Sequence, residues 1–179
     1  KYNKMEEINI RKLKSDNGKI FEIEEDCLLK YDFLKGLLED FSDPKQELPI
    51  KEVNDRTLER VVTFLKHYRK EEVKKIPCPC PSTTVELKDG TTIHPVDLKA
   101  ALCQWDYDFV TPLSIEEAIE LVNAANSLNI QPLIDLASAR LAYDFTNCSI
   151  EDARKKFGIE SDMTKEEQDE MDKYLKYLD

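Results

Sequence analysis

The sequence predicts an α+β fold that is mostly helical. Apolar and polar residues alternate around turn chemistry at the start of the chain. A clear 3.6-residue apolar period follows near residues 54–70. Beyond Trp105, helix-start signals recur: two capping boxes and a proline at a helix start.

Taken in order, Ile8 and Ile10 alternate with polar residues, and Ile20, Phe21 and Ile23 resume the pattern. Ser15-Asp16-Asn17-Gly18 between them is turn chemistry, so a hairpin is expected. Residues 25–41 read as one or two helices with Leu28, Leu29, Phe33, Leu34, Leu37 and Leu38 turned inward. Glu47 to Ile50 is a short strand, placed at an edge or terminus by Pro49. Asn54 or Asp55 can cap the next helix, whose Leu58, Val61, Val62 and Leu65 fall at i, i+3, i+4 and i+7.

Residues 70–103 depart from this rhythm. The alternating prolines of Ile76-Pro77-Cys78-Pro79-Cys80-Pro81 remove donors and force extended backbone. Val85 to Ile93 alternates around Asp89-Gly90, a hairpin signal. The stretch reads as a surface insertion, dispensable for the core, with a short helix after Pro95.

The remainder is helical. Ser114-Ile115-Glu116-Glu117 opens a helix with Ile115, Ala118, Ile119, Val122 and Ala125 as one stripe. Pro132 sits at the start of the next helix, which is apolar on more than one face and so expected at the centre. Ser149 starts a short helix ending at Gly158, and Thr164-Lys165-Glu166-Glu167 opens the last. The stretch 149–179 is thinly and one-sidedly apolar. Its helices can bury little of one another and should pack against something else.

Composition narrows the function. The 179 residues amount to about one domain, with 41% hydrophobic and 35% charged residues. No apolar run approaches the ~20 residues of a membrane span. No charged and apolar leader pattern opens the chain, so a cytoplasmic and/or nuclear protein is expected. A net charge of −11 disfavours nucleic acid as a partner. Lys66, Arg69, Lys70, Lys74 and Lys75 read as a solvated helix end. Five cysteines, an odd and irregularly spaced set, point to reduced thiols.

Catalytic signatures are missing. Four glycines build neither a phosphate loop nor a dinucleotide fingerprint. Of the two histidines, His67 reads as a half-exposed helix residue and His94 lies in the insertion. Cys78, Cys80, His94 and Cys103 carry zinc-type donors, but Cys-Pro-Cys spacing fits no known knuckle. Neither an enzyme nor a cofactor is expected.

Several runs do carry a resemblance: Asp16-Asn17-Gly18-Lys19-Ile20-Phe21, Trp105-Asp106-Tyr107-Asp108-Phe109, the stretch from Leu121 to Asp135, and Ser149 to Ile159 continuing through Asp162 to Glu167. In order and spacing they resemble the S-phase-kinase-associated (Skp) adaptor family, which joins F-box proteins to a cullin in SCF ubiquitin ligases. The resemblance implies a BTB/POZ domain over 1–146 with an insertion at about 70–101, then F-box-clasping helices over 147–179. It implies partner contacts at Phe157, Ile159, Met163, Met171, Tyr174 and Tyr177, the last standing where the family usually has Trp. It implies a cullin contact at Asn126 and Ser127, where serine replaces the family's aromatic, and modification of Pro132 as in some protist relatives. The expected function is a non-catalytic adaptor binding an F-box or F-box-like protein and linking it to a cullin. The alternative is a structural subunit that stabilises an F-box-like partner in a non-ligase assembly without a cullin.

Overall fold

The computed structural model describes residues 9–86, 90, 92–159 and 164–175. It is the α+β, mostly helical fold expected. Strands β1 (Ile10–Lys14) and β2 (Ile20–Glu24) form the hairpin, with Leu13 opposite Phe21 and Lys14 opposite Ile20. Gly18 adopts φ 89°, the left-handed conformation that the tight turn requires. The short β3 (Glu47–Pro49) lies parallel to β1 on its other side, giving the order β2-β1-β3. Pro49 ends this edge strand, where its missing donor removes nothing from the ladder.

Between β2 and β3 lie a single turn α1 (Glu25–Leu28) and α2 (Asp32–Asp40). Helix α3 (Asp55–His67) follows, its first turn capped by Asn54, whose side chain accepts from the Thr57 N–H at 2.9 Å. The insertion carries β4 (Val85–Glu86), β5 (Thr92–Ile93) and α4 (Leu98–Ala101). The tip residues of the expected Asp89-Gly90 turn, apart from Gly90, lie outside the described residues. Then come α5 (Gln104–Val110), α6 (Ile115–Ser127), α7 (Gln131–Thr146), α8 (Ile150–Phe157) and α9 (Lys165–Leu175). Among the described residues, no helix is long and apolar enough to cross a membrane.

The core forms where α3, α6 and α7 meet the sheet, around Leu13, Ile23, Leu48, Leu58, Phe64, Leu121, Ile130, Leu133 and Leu136. The expected inward face of α3 is buried throughout. Helix α7 packs on α4, α5 and α6, as its all-round apolar character requires.

Two helix faces differ from expectation, and the hairpin turns a charged residue inward. Ile10 and Ile20 stand on the open side of the hairpin, while Arg11 and Leu13 turn in. Strand faces alternate residue by residue, so the register set by β3 decides which set is buried. Leu29 and Phe33 are exposed, because α1 stops at Leu28 and the chain turns before α2 begins, breaking the helical phase. Leu37 is only partly buried. On α6 the buried set is Ala118, Leu121, Ala124 and Ala125, whereas Ile119 is exposed. The alanines let α7 approach closely, so the contact face follows residue size more than apolar count.

The insertion lies docked along one side of the domain. Val96 and Leu98 form a second small cluster with Ala139 of α7, and Cys80, Leu102, Tyr107 and Tyr143 pack against it. The Val96 N–H donates to the Thr146 hydroxyl at 3.0 Å.

Candidate partner-binding surface

The C-terminal helices are specified locally and left bare. Ser149 caps α8 by accepting from the Asp152 N–H at 3.2 Å. Gly158 ends it at φ 62°, and the Ile159 N–H then closes onto the Arg154 carbonyl at 2.9 Å. Thr164 and Glu167 form the second capping box, with Thr164 N–H to Glu167 at 2.8 Å and Glu167 N–H to Thr164 at 3.3 Å.

Among the described residues, neither α8 nor α9 takes part in the principal helix packing, which joins α6 to α7, α3 to α6 and α5 to α7. Ile159 is 51% exposed, Met171 37% and Tyr174 66%. Phe157 is half-buried, stacked on Phe145 with ring centroids 3.6 Å apart. That stack ties the end of α8 to the end of α7. Met163 and Tyr177 lie outside the described residues. Each large apolar side chain left in water forgoes about 1.5–3 kcal/mol that full burial would supply.

Asn126 and Ser127 are exposed at the end of α6. The corner beneath them is tight: Asn129 takes φ 53°, its N–H donates to the Asn126 carbonyl at 3.0 Å, and fully buried Ile130 anchors the turn. Both side chains therefore stand on a well-fixed surface. Pro132 occupies the second position of α7, where no intrahelical donor is required, and is half-buried.

Cys78, Cys80, His94 and Cys103 are not brought together. Among the described residues, no group of three or more His, Cys, Asp or Glu side chains is placed to hold a metal. His94 is exposed, with Nδ1 3.3 Å from the Thr84 hydroxyl, and Cys78 is exposed. Cys103 instead donates to Asp106 at 3.1 Å, and the Tyr68 hydroxyl donates to the same carboxylate at 2.8 Å. Asp106 is buried, so both donors compensate its desolvation. Burial, then the bond to Asp106, pushes the Tyr68 phenol far above its ordinary range. Cys27 is wholly buried, and its thiol is pushed up to about 11 by that burial, with Asp26 and Glu24 adding to it. It is an unreactive core thiol.

Sequence reasoning missed this polar staple and the aromatic layer beside it. His67 stacks flat on Trp105 at 3.7 Å, and Trp105 stacks on Phe109 at 4.9 Å. The run Trp105 to Phe109 is the only signal for it in the sequence, and the run does not reveal its partners on α3.

Comparison with known proteins places these elements. Residues 9–70 match the Skp1 family tetramerisation domain, and residues 131–175 match the Skp1 family dimerisation domain. The chain is similar to the E3 ubiquitin ligase complex SCF subunit sconC of Emericella nidulans, 30% identical over 157 residues that span 88% of each chain. It is similar to SKP1-like protein 1A of Arabidopsis thaliana, 31% identical over 161 residues, 89% of this chain and 90% of that one. The S-phase kinase-associated protein 1 homolog of Tetrahymena thermophila is 29% identical over 157 residues, 88% of this chain and 86% of that one.

Proposed function

The chain belongs to the Skp1 family, and is a non-catalytic adaptor on that account; from this premise we propose that α8 and α9 clasp an F-box or F-box-like protein. One observation carries the proposal. Ile159, just past α8, and Met171 and Tyr174 on α9 are exposed, and among the described residues α8 is tied to the rest of the fold through the Phe157–Phe145 stack. The relatives named as SCF ubiquitin ligase subunits support an adaptor role of this kind. A full-length chain carrying Ile159→Asp and Tyr174→Asp tests it by titration against an F-box fragment. Two desolvated anchors should cost at least about a hundredfold in affinity. Undiminished binding removes the clasp from these helices.

The cullin link is the finer half of the proposal, and Asn126 and Ser127 are its surface. Ser127 favours a second function: a structural subunit that holds an F-box-like partner in an assembly without a cullin. Its hydroxyl offers no large apolar anchor at an exposed corner. Ser127→Tyr should raise cullin affinity by about tenfold to a hundredfold, the worth of one buried aromatic. Titrating both chains against a cullin amino-terminal fragment checks this. Equal, tight binding by both chains would show that Ser127 does not limit the contact.

A further inference from the structure

The insertion builds a wall, and the wall encloses a cleft. Residues 81–86 and 92–97 pair as an antiparallel ribbon: Ser82 bridges Val96, the Thr83 N–H donates to the Pro95 carbonyl at 3.0 Å, and the Asp97 N–H donates to the Pro81 carbonyl at 2.7 Å. Between this ribbon and the helices α5 and α7 lies a cleft of about 370 Å³. Thr83 and Val85 line it on the ribbon side, Tyr107 on α5, Tyr143 on α7, and Asn147 just past the end of α7. Lys99, an exposed residue of α4, also lines it.

Two features say what fits there. The first is charge. The protein carries −11 overall, yet the Lys99 ammonium lies over the Tyr107 ring at 5.6 Å, with no carboxylate in ion-pair range among the described residues. The carboxylate beside it, Asp97, is occupied in capping α4 through two N–H bonds of 3.1 Å. Arg140 is held by Asp144 and by the Leu113 carbonyl at 3.1 Å, so it walls the cleft and Lys99 is its available cation. The second feature is continuity. Asn147 lines the cleft, and Ser149, two residues on, caps α8. The cleft therefore opens beside the start of the helices assigned above to the partner.

We propose that this cleft receives an extended segment of the same F-box-like partner, flanking its clasped helices and carrying an apolar side chain next to a carboxylate. The apolar side chain enters between Val85, Tyr107 and Tyr143, and the carboxylate meets Lys99. The inference rests on the clasp reading, because the cleft's occupant is delivered by the helices that α8 and α9 hold. It gives the insertion a function, the recognition of sequence outside the F-box itself.

The test uses the full chain and two fragments of one partner: the F-box alone, and the F-box with its flanking segments. Wild type should bind the longer fragment more tightly. Lys99→Glu and Val85→Asp, both exposed positions, should each remove that gain, about tenfold for a lost charge contact. Both variants should bind the shorter fragment like wild type. Equal affinity of wild type for the two fragments overturns the inference and leaves the clasp standing. Failure of wild type to bind either fragment overturns the clasp, and with it the inference. Self-association of the free chain that both variants abolish would give the cleft to a second copy and overturn the proposal.

Discussion

At the scale of single residues, Asp106 is a buried carboxylate whose satisfaction can be tested. It takes one bond from Tyr68 and one from Cys103. Tyr68→Phe leaves half of that satisfaction missing and should cost about 1–3 kcal/mol. Because the two side chains act together, Tyr68→Phe with Asp106→Asn should show a coupling of about 0.5–3 kcal/mol in a urea-denaturation cycle. Strict additivity would mean the bond contributes nothing net. Cys27 makes a pH prediction of defined sign. Its folded-state pKa of about 11 lies above the ordinary 9.0, so folding favours the protonated thiol. The stability this supplies is complete below about pH 9 and is lost as pH rises toward 11. Cys27→Ala should therefore flatten the fall in stability between those values; an unchanged slope assigns the fall to other groups.

At the scale of elements, the C-terminal helices separate local order from tertiary support. Gly158 holds a left-handed φ of 62°, and an added Cβ would meet no atom within 4 Å. The cost of Gly158→Ala is thus backbone strain alone, about 1–2 kcal/mol. Because α8 sits outside the principal packing, that cost should fall on the helix end and spare the core. Partner affinity should drop about fivefold or more, while the main melting transition stays in place. A matching drop in melting temperature would mean α8 is part of the cooperative core. Hydrogen exchange of the α8 amides separates the two outcomes.

At the scale of the molecule, the insertion is where chain length and packing disagree. Loop-closure entropy alone would let residues 74–98 be replaced by a short linker for about 1 kcal/mol or less. The structure adds Val96 and Leu98, both buried against Ala139. Each contributes about 1.5–3 kcal/mol. The 74–98 deletion should still fold, destabilised by about 3–6 kcal/mol by that burial. Denaturation midpoints measured beside wild type check this; a loss near 1 kcal/mol would show that the cluster is replaced by solvent at no cost.

Element order, helix caps and fold class could all be read from the chain before any contact was known. Asn54, Ser114, Ser149, Gly158 and Thr164 act within a few residues of themselves, and the structure places each at the helix end it marks. The sequence also made the thin apolar character of the C-terminal helices legible, and Ile159, Met171 and Tyr174 are exposed in the structure. Which faces turn inward followed instead from how the elements meet. Leu29, Phe33 and Ile119 are apolar and exposed, while Arg11 and Asp106 are polar and buried. Those outcomes depend on strand register, on alanines that admit α7, and on donors far away in the chain. The same is true of the stack between His67 and Trp105 and of the docking of Val96 onto α7. Periodicity reports the local repeat of a segment; contact across the fold is set by which surfaces meet, and no single segment carries that information.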